Sequence, residues 1–386
     1  MPLTLPDGLL VEPVTDGETA LLGGHRVLSF RYELLDRWEN LTGLVRTAPY
    51  GGSLSWSAQA SIKSGGTLPV IDPGGGIDWV HARVRPVAVL SSASTADTLE
   101  VPLGVYLPVA PDEDWSDEGR AWQVDLLDKL VILDQDVPTD AAGNATAYTA
   151  PAGSNVVALV AGLIQSTGET TPALSPAPDT LTSALVFEPG TTKLKIINEL
   201  LDAANFFSLW TDGAGQFRVT KYRAPQDRGT VYDLLAPFSR GPRSLMAPDW
   251  TRERDVYTVP NRYVVVSQGD GDAEGLVATA VNTDPGSPFS YPSRGRWVTQ
   301  VEEGVEATSM ASLQAYANRK LLAASGVSSK MEVHHAYLPD LLINSTVRFR
   351  YEQDGEVLDM LCTVQNTEIP LDPTALCKTT LREVVG

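Results

Sequence analysis

Carboxylates are the first residues to test for chemistry, because the chain holds 48 aspartates and glutamates against 29 lysines and arginines. Asp112, Glu113, Asp114, Asp117 and Glu118 surround Trp115. Acids around an aromatic ring are what a sugar cleft needs, one to protonate the leaving oxygen and one to attack or to activate water. In that reading Asp114 and Glu118 would be the pair of a cell-wall hydrolase. The simpler reading is a solvated acidic loop that Trp115 anchors to the body. A second set, Asp125, Asp128, Asp134 and Asp136, is interleaved with Leu and Val in VDLLDKLVILDQD, which reads as the wet face of a half-buried strand.

Other chemistry is thinly supported. His334 and His335 are neighbours in MEVHHAYL, and in a strand they would face opposite ways, one buried and one exposed, rather than share a metal. The motifs HExxH, GxSxG and Walker A are absent; Gly52-Ser53 reads as a turn, and Pro189–Lys193 lacks the order a phosphate loop requires. Gly269, Gly271 and Gly275 follow the apolar segment Tyr263–Val266, but the residues after them read as another strand. A pyrophosphate site needs a helix N-terminus there. Asp270, Asp272 and Glu274 begin like a calcium loop, yet its twelfth position would be Val281, so an acidic hairpin loop is expected. Cys362 and Cys377 cannot build a zinc site by themselves, and they read as two small buried apolar residues. No catalytic, cofactor-binding or metal residue is assigned, and no cofactor is implied.

Composition narrows the classes further. Hydrophobic residues at 43% and charged residues at 20% suit a globular chain. At 386 residues it should form two or three domains. A net charge of −19 argues against clamping nucleic acid, which relies on Lys and Arg, but suits a surface that DNA must pass without sticking. The longest apolar run, Val156–Ile164, is too short to span a bilayer. The opening MPLTLPDGLLVEPV has no Lys or Arg before its apolar residues and does not read as a secretory signal.

Short alternating segments punctuated by 32 Gly and 27 Pro predict antiparallel sheets with tight turns. Trp79–Leu90 would be a strand with Val80, Ala82 and Val84 on one face and His81, Arg83 and Arg85 on the other; Pro86 should end it or mark an edge. Hairpins are expected over Phe206–Tyr222, turning at Asp212–Gly215, and over Val347–Val364, turning at Asp354-Gly355. Leu103, Val105 and Leu107 alternate in a way that suits either a core or a subunit interface. Three helices interrupt the strands. One is capped by Ser154 and runs to about Gln165; a second is capped by Thr191 or Thr192 and runs to about Asn205. A third begins at Thr308 or Ser309 and stops at Gly326. The expected organisation is mainly β with an α/β insert: a β domain over 1–119 completed by the 206–245 hairpin region, an α/β insert over 120–205, and a second β domain over 246–386 with a helix at about 308–325.

The order of five segments adds a resemblance: IDWVHARVRPV (Ile77–Val87), VPLGVYLPVAP (Val101–Pro111), WQVDLLDKLVILDQD (Trp122–Asp136), PGTTKLKIINELLDAANFFSLWTDGAGQFRV (Pro189–Val219) and SRGRWV (Ser293–Val298). Together they resemble the minor tail proteins of long-tailed phages that infect actinobacteria, and within that group the tail hub, or baseplate hub. The resemblance implies two tube-like β-barrel or sandwich domains plus a small α+β domain. It implies a homotrimer whose pseudo-sixfold ring meets a hexameric distal tail or tail tube protein and whose other face takes a threefold spike or fibre. The tape measure protein could occupy the lumen, and DNA would be there only in transit. Such a protein would be made in the host cytoplasm and reside at the tail tip of the virion, without membrane insertion. The family has no catalytic residues to carry over. Its longer members add peptidoglycan-hydrolase domains, and the sequence ends at Gly386 with none. Other readings are a hexameric distal tail ring protein, a sugar-binding adhesin stacking sugars on Trp115 or Trp210, and the hydrolase above.

Overall fold

The computed structural model describes residues 26–48, 51–71, 77–92, 97–116, 119–236, 246–254, 257–267, 275–305, 310–324, 329–353 and 356–384. The chain is mainly β. Its strands begin with β1 (Arg26–Leu35), β2 (Leu41–Leu44), β3 (Ser53–Ser57), β4 (Ser64–Ile71), β5 (Arg83–Ser92), β6 (Thr98–Pro102), β7 (Tyr106–Ser116) and β8 (Gly119–Asp128). Next come α1 (Leu130–Asp134), β9 (Tyr148–Ala150), α2 (Val156–Gln165), β10 (Leu185–Phe187), α3 (Lys193–Ala203), β11 (Trp210–Thr211) and β12 (Phe217–Arg218). β13 (Thr230–Ala236) and β14 (Met246–Glu253) precede β15 (Arg262–Ser267), β16 (Val277–Val281), α4 (Tyr291–Arg294), β17 (Thr299–Val305) and α5 (Met310–Ala324). The chain closes with β18 (Lys330–His335), β19 (Thr346–Gln353), β20 (Glu356–Pro370) and β21 (Cys377–Glu383).

Two compact units result, Met1–Trp250 with Glu332–Leu381, and Thr251–Met331 with Arg382–Gly386. In the first, 14 strands join in one hydrogen-bonded network. β3, β4, β8, β7, β5, β1 and β2 are neighbours in that order with β6 on β5, while β14, β18, β21 and β20 continue from the other side of β3, with β19 on β20 and β13 on β19. The join is β20, whose first half pairs with β19 (Gln353↔Glu356 to Thr346↔Thr363) and whose second half pairs with β3 (Asn366↔Ser57 to Pro370↔Ser53). The N-terminal and C-terminal strands therefore share a core, in which Leu54, Leu68, Val84, Tyr106 and Leu126 meet Tyr337, Ile369, Leu371 and Cys377.

The chain divides differently from the 1–119, 120–205 and 246–386 boundaries. The 206–245 region does not complete the first set of strands. Phe206, Leu209 and Phe217 of its hairpin are buried among Val156, Val160, Ile164, Leu194, Ile197 and Leu201, the α2–α3 core. β13 pairs in parallel with β19 of the C-terminal strands (Leu234↔Phe349). The region 246–386 is likewise not one body, because its helix lies in the second unit while β19, β20 and most of β21 belong to the first. The reason is nonlocal: a strand's alternation says that it pairs, not with which partner.

Local expectations hold more closely. α2 starts at Val156 with Asn155 as its cap, one residue beyond Ser154; the Asn155 side chain accepts from Ala158 N at 3.0 Å. Thr192 caps α3, accepting from Lys195 N at 3.3 Å. Both hairpins form. Asp212 Oδ1 accepts from Ala214 N and Gln216 N, at 3.0 and 2.9 Å, and Gly215 takes the left-handed φ of 78° that the turn requires. Leu103 and Val105 are buried and Leu107 is half-buried, which makes that alternation core.

The Trp79–Leu90 expectation needs correcting. Val80 lies in a turn and is 85% exposed, and β5 begins only at Arg83. Pro86 sits inside β5 opposite Tyr32, and its carbonyl accepts from Leu103 N at 2.8 Å. The missing N–H would have faced that same side, where β5 changes partner from β7 (Val84↔Tyr106) to β6 (Val87↔Pro102), so no ladder bond is lost.

In the second unit β15 pairs antiparallel with β16 and parallel with β17. Tyr263, Val265, Ala278 and Ala280 pack against Leu313, Ala317 and Leu321, spaced four apart along one face of α5. Gly275 leads into strand β16 rather than into a helix. Gly269 and Gly271 lie outside the described residues, as do Asp270, Asp272, the proposed cap Thr308 or Ser309, and Gly326.

Candidate assembly surfaces and a buried charge joint

Pro108–Gly119 is a hairpin arm rather than a loop: β7 and β8 pair out to Trp115↔Arg120 and Ser116↔Gly119, with a register shift between Val109 and Asp112. Asp112 and Glu113 are exposed on it. The side chains of Asp114 and Trp115, and all of Asp117 and Glu118, fall outside the description. Asp125 is exposed on β8, Asp134 is exposed at the end of α1, and half-buried Asp136 accepts from Lys193 Nζ at 2.6 Å.

Asp128 overturns the wet-face reading. It is 1% exposed, because the run turns from strand to helix there and rotates that position inward. Its Oδ1 accepts from Leu130 N at 2.9 Å, in the manner of a helix cap, and its Oδ2 accepts from Ser64 Oγ and Thr211 Oγ1, each at 2.9 Å. Burial pushes its carboxyl pKa up, against the pull of those three bonds. Asp128 thereby fastens β4, the start of α1 and the β11 strand of the insert to one another.

Beside it lies a four-charge joint that the sequence reading missed. Lys129 is 3% and Arg83 7% exposed. Arg83 Nη1 meets Glu39 Oε1 at 2.8 Å, and Arg83 Nη2 meets Glu169 Oε1 at 2.5 Å. Lys129 Nζ pairs with Glu39, meets Glu169 Oε2 at 2.9 Å and donates to Gly215 O at 3.0 Å, with the Phe217 ring 4.9 Å away. Two cations and two carboxylates balance, so neither sign is buried alone. Burial pushes the Glu169 pKa up, but Arg83 and Lys129 outweigh it and hold the carboxyl below its ordinary range. Four separate segments, the β1–β2 turn, β5, the β8–α1 junction and the loop that follows α2, meet at this point. The one sequence signal was Lys129 itself, next to Asp128 inside the otherwise apolar run LLDKLVIL.

The remaining candidates are structural. Cys362 and Cys377 are buried thiols that form no disulfide, and burial pushes the Cys377 thiol up to about 12. His335 is buried and His334 half-buried on the opposite face. His335 Nδ1 donates to Ala336 O at 2.7 Å and Nε2 accepts from Thr379 Oγ1 at 2.8 Å, an arrangement that suits the neutral ring; burial lowers its pKa to about 4. Trp210 is half-buried, with its indole N–H donating to Thr220 Oγ1 at 3.1 Å. Among the described residues no group of three or more His, Cys, Asp or Glu could hold a metal ion, and no helix is long and apolar enough to cross a membrane.

Surfaces suited to assembly are plentiful. The short edge strand β2 leaves Leu41 and Leu44 more than half exposed. In the second unit, the sheet face away from α5 carries Val277, Val281 and Val301, all exposed. The same unit has Arg262 over the Trp297 ring at 5.0 Å, Arg296 over Tyr257 at 4.1 Å, and Tyr291 stacked on Trp297 at 4.3 Å. Exposed aromatic and arginine side chains of this kind are enriched at protein interfaces.

No protein-family model matches the sequence, and no curated protein does. Solved structures match along the whole chain. The tail protein from Neisseria meningitidis is 14% identical and superposes with a TM-score of 0.58 over 92% of this chain and 96% of its own. The 43 kDa tail protein of prophage MuSo2 from Shewanella oneidensis is 11% identical, with a TM-score of 0.56 over 92% of this chain and 98% of its own. A chain of the Francisella PdpA–VgrG complex is 6% identical, with a TM-score of 0.53 over 97% of this chain and 56% of its own. The fold is therefore that of phage tail proteins. The expectation of a phage tail fold agrees with these neighbours.

Proposed function

We propose that the chain is a non-enzymatic virion protein of a long-tailed phage of actinobacteria: the hub at the tail tip, which continues or closes the tail tube and adapts it to a threefold spike or fibre. The observation that carries this reading is the coverage. The fold of a phage tail protein accounts for more than nine-tenths of both chains.

In this reading the N-terminal and C-terminal strand sets of the first unit are the two tube-like elements. Three copies present six of them to a hexameric distal tail or tail tube protein, and the opposite face takes the spike or fibre. Closed assemblies of identical chains need a self-complementary rotation, and uncovered edges such as β2 are natural places for neighbours to meet. The second unit is nearly balanced in charge, so the acidic excess lies in the first. An acidic ring wall would repel phosphate and let DNA and the tape measure protein pass without stalling.

Light scattering of the purified chain over a concentration series tests the reading. A species near three times 41.4 kDa supports the hub. A six-copy ring would instead make it the distal tail ring protein, and a chain that stays monomeric when mixed with its tube partner would sink the ring altogether.

A further inference from the structure

The first unit contains a cavity whose electrostatics run against the rest of the chain. It encloses about 120 Å³ between the β3–β4 loop, the β11–β12 hairpin, the segment after that hairpin and the turn before β19. Its wall includes Lys63, Lys221, Arg223 and Arg228 beside Phe207 and Trp210, and no carboxylate lines it. In a protein of net charge −19, four cations around one hollow without a lining acid need a reason.

Two of those cations are poorly compensated. Lys63 is only 7% exposed, and its ammonium donates to a single protein acceptor among the described residues, Ala58 O at 2.8 Å. An ammonium has three N–H donors, so two remain for the cavity. Half-buried Arg228 spends its bonds on neutral carbonyls, with Nε to Arg223 O at 2.8 Å and Nη1 to Asn344 O at 2.8 Å, while its plane lies 4.9 Å from Phe207. Burial lowers the pKa of both groups; for Lys63 the pull of Asp128 falls short of offsetting desolvation, and no carboxylate offsets it for Arg228. Lys221, at the rim, is paired with Asp179.

We propose that this cavity binds a small organic anion, with a carboxylate or phosphate head between Lys63 and Arg228 and a short apolar body against Phe207 and Trp210. The anion supplies the acceptors and the charge that the protein withholds, and charge-assisted bonds in a half-enclosed site are the strong kind. The ligand is small, because the cavity is close to the size of a few carbon atoms plus one head group. The binding is independent of the hub reading and would stand if the chain proved to be a different tail protein.

The test is a tryptophan-fluorescence titration at low salt with hexanoate and phenyl phosphate as probes, hexanol and phenol as their uncharged counterparts, and Trp210→Phe to identify the reporting ring. Saturable binding of at least one anion is expected, weakened about tenfold or more in Lys63→Met and in Arg228→Gln, with no saturable response to the alcohols. The head group that binds tells carboxylate from phosphate. Lys63→Met should also melt at a higher temperature than the wild type without ligand, since it removes a buried charge; Arg228→Gln, at a half-exposed position, serves if that variant folds poorly. Hexanol binding as tightly as hexanoate, anion binding unchanged in both variants, or no saturation by either anion up to about 10 mM would overturn the proposal.

Discussion

Replacing Lys129 by Met should loosen the insert from the strands beneath it. The side chain stays apolar against Phe217, but Glu39 and Glu169 then face Arg83 alone and the joint carries one uncompensated negative charge. At the 2.9 Å separation of Lys129 and Glu169, an effective dielectric of about 20 puts their attraction at roughly 6 kcal/mol. Repulsion from Arg83 and the cost of desolvating the ammonium reduce that figure, and stripping one partner from a buried pair leaves a net loss of about 3–5 kcal/mol. That is a large share of a typical folding free energy of about 5–15 kcal/mol. Urea unfolding of the purified chain, read by hydrogen exchange at the amides of α2 and α3, isolates the first unit from the second. The double variant Lys129→Met/Glu169→Gln restores neutrality and should recover at least about 2 kcal/mol relative to the sum of the single losses. A Lys129→Met loss below about 1 kcal/mol, or strictly additive losses in the double variant, would refute the account of a charge-balanced joint.

Other consequences can be measured in the same way. Asp128→Asn keeps an acceptor for Leu130 N and offers an amide to the Ser64 and Thr211 hydroxyls; calorimetry should find it within about 1 kcal/mol of wild type, and Asp128→Ala lower by about 2–4 kcal/mol. His335 has its pKa lowered from 6.5 to about 4 in the folded state, so the unfolded chain binds the proton more readily. Stability should therefore fall by about 3 kcal/mol as pH drops from about 6.5 to 4 and level off below; denaturant titrations with His335→Gln should lose that slope. Glu169, held below its ordinary range, adds a further loss as pH falls through its depressed value. A Cβ on Gly213 would sit 2.1 Å from Pro102 O, so Gly213→Ala should cost about 1–3 kcal/mol by forcing the β11–β12 hairpin off the β6 end, visible as a lowered melting temperature.

Much of the protein was legible in its sequence wherever the signal was local. The turn at Asp212–Gly215, the cap at Thr192 and the Leu313, Ala317 and Leu321 stripe of α5 each depend on residues within a few positions of one another. Backbone geometry and periodicity therefore decide them before any tertiary contact forms. The mainly β class, the burial of Cys362 and Cys377, and the opposite facing of His334 and His335 follow from the same short-range rules. Tertiary structure alone decided the partners. β20 divides itself between β19 and β3, Pro86 survives inside β5 because a partner changes there, and Phe217 packs with the insert rather than the neighbouring strands. Asp128 and Lys129 carry residue types that ordinarily face water. They are buried because Ser64, Glu39, Arg83, Glu169 and Gly215, distant in sequence, arrive with the hydrogen bonds and opposite charges that make burial tolerable. Alternation and capping report what one segment prefers, whereas the free energy of a buried charge depends on which other segments reach it.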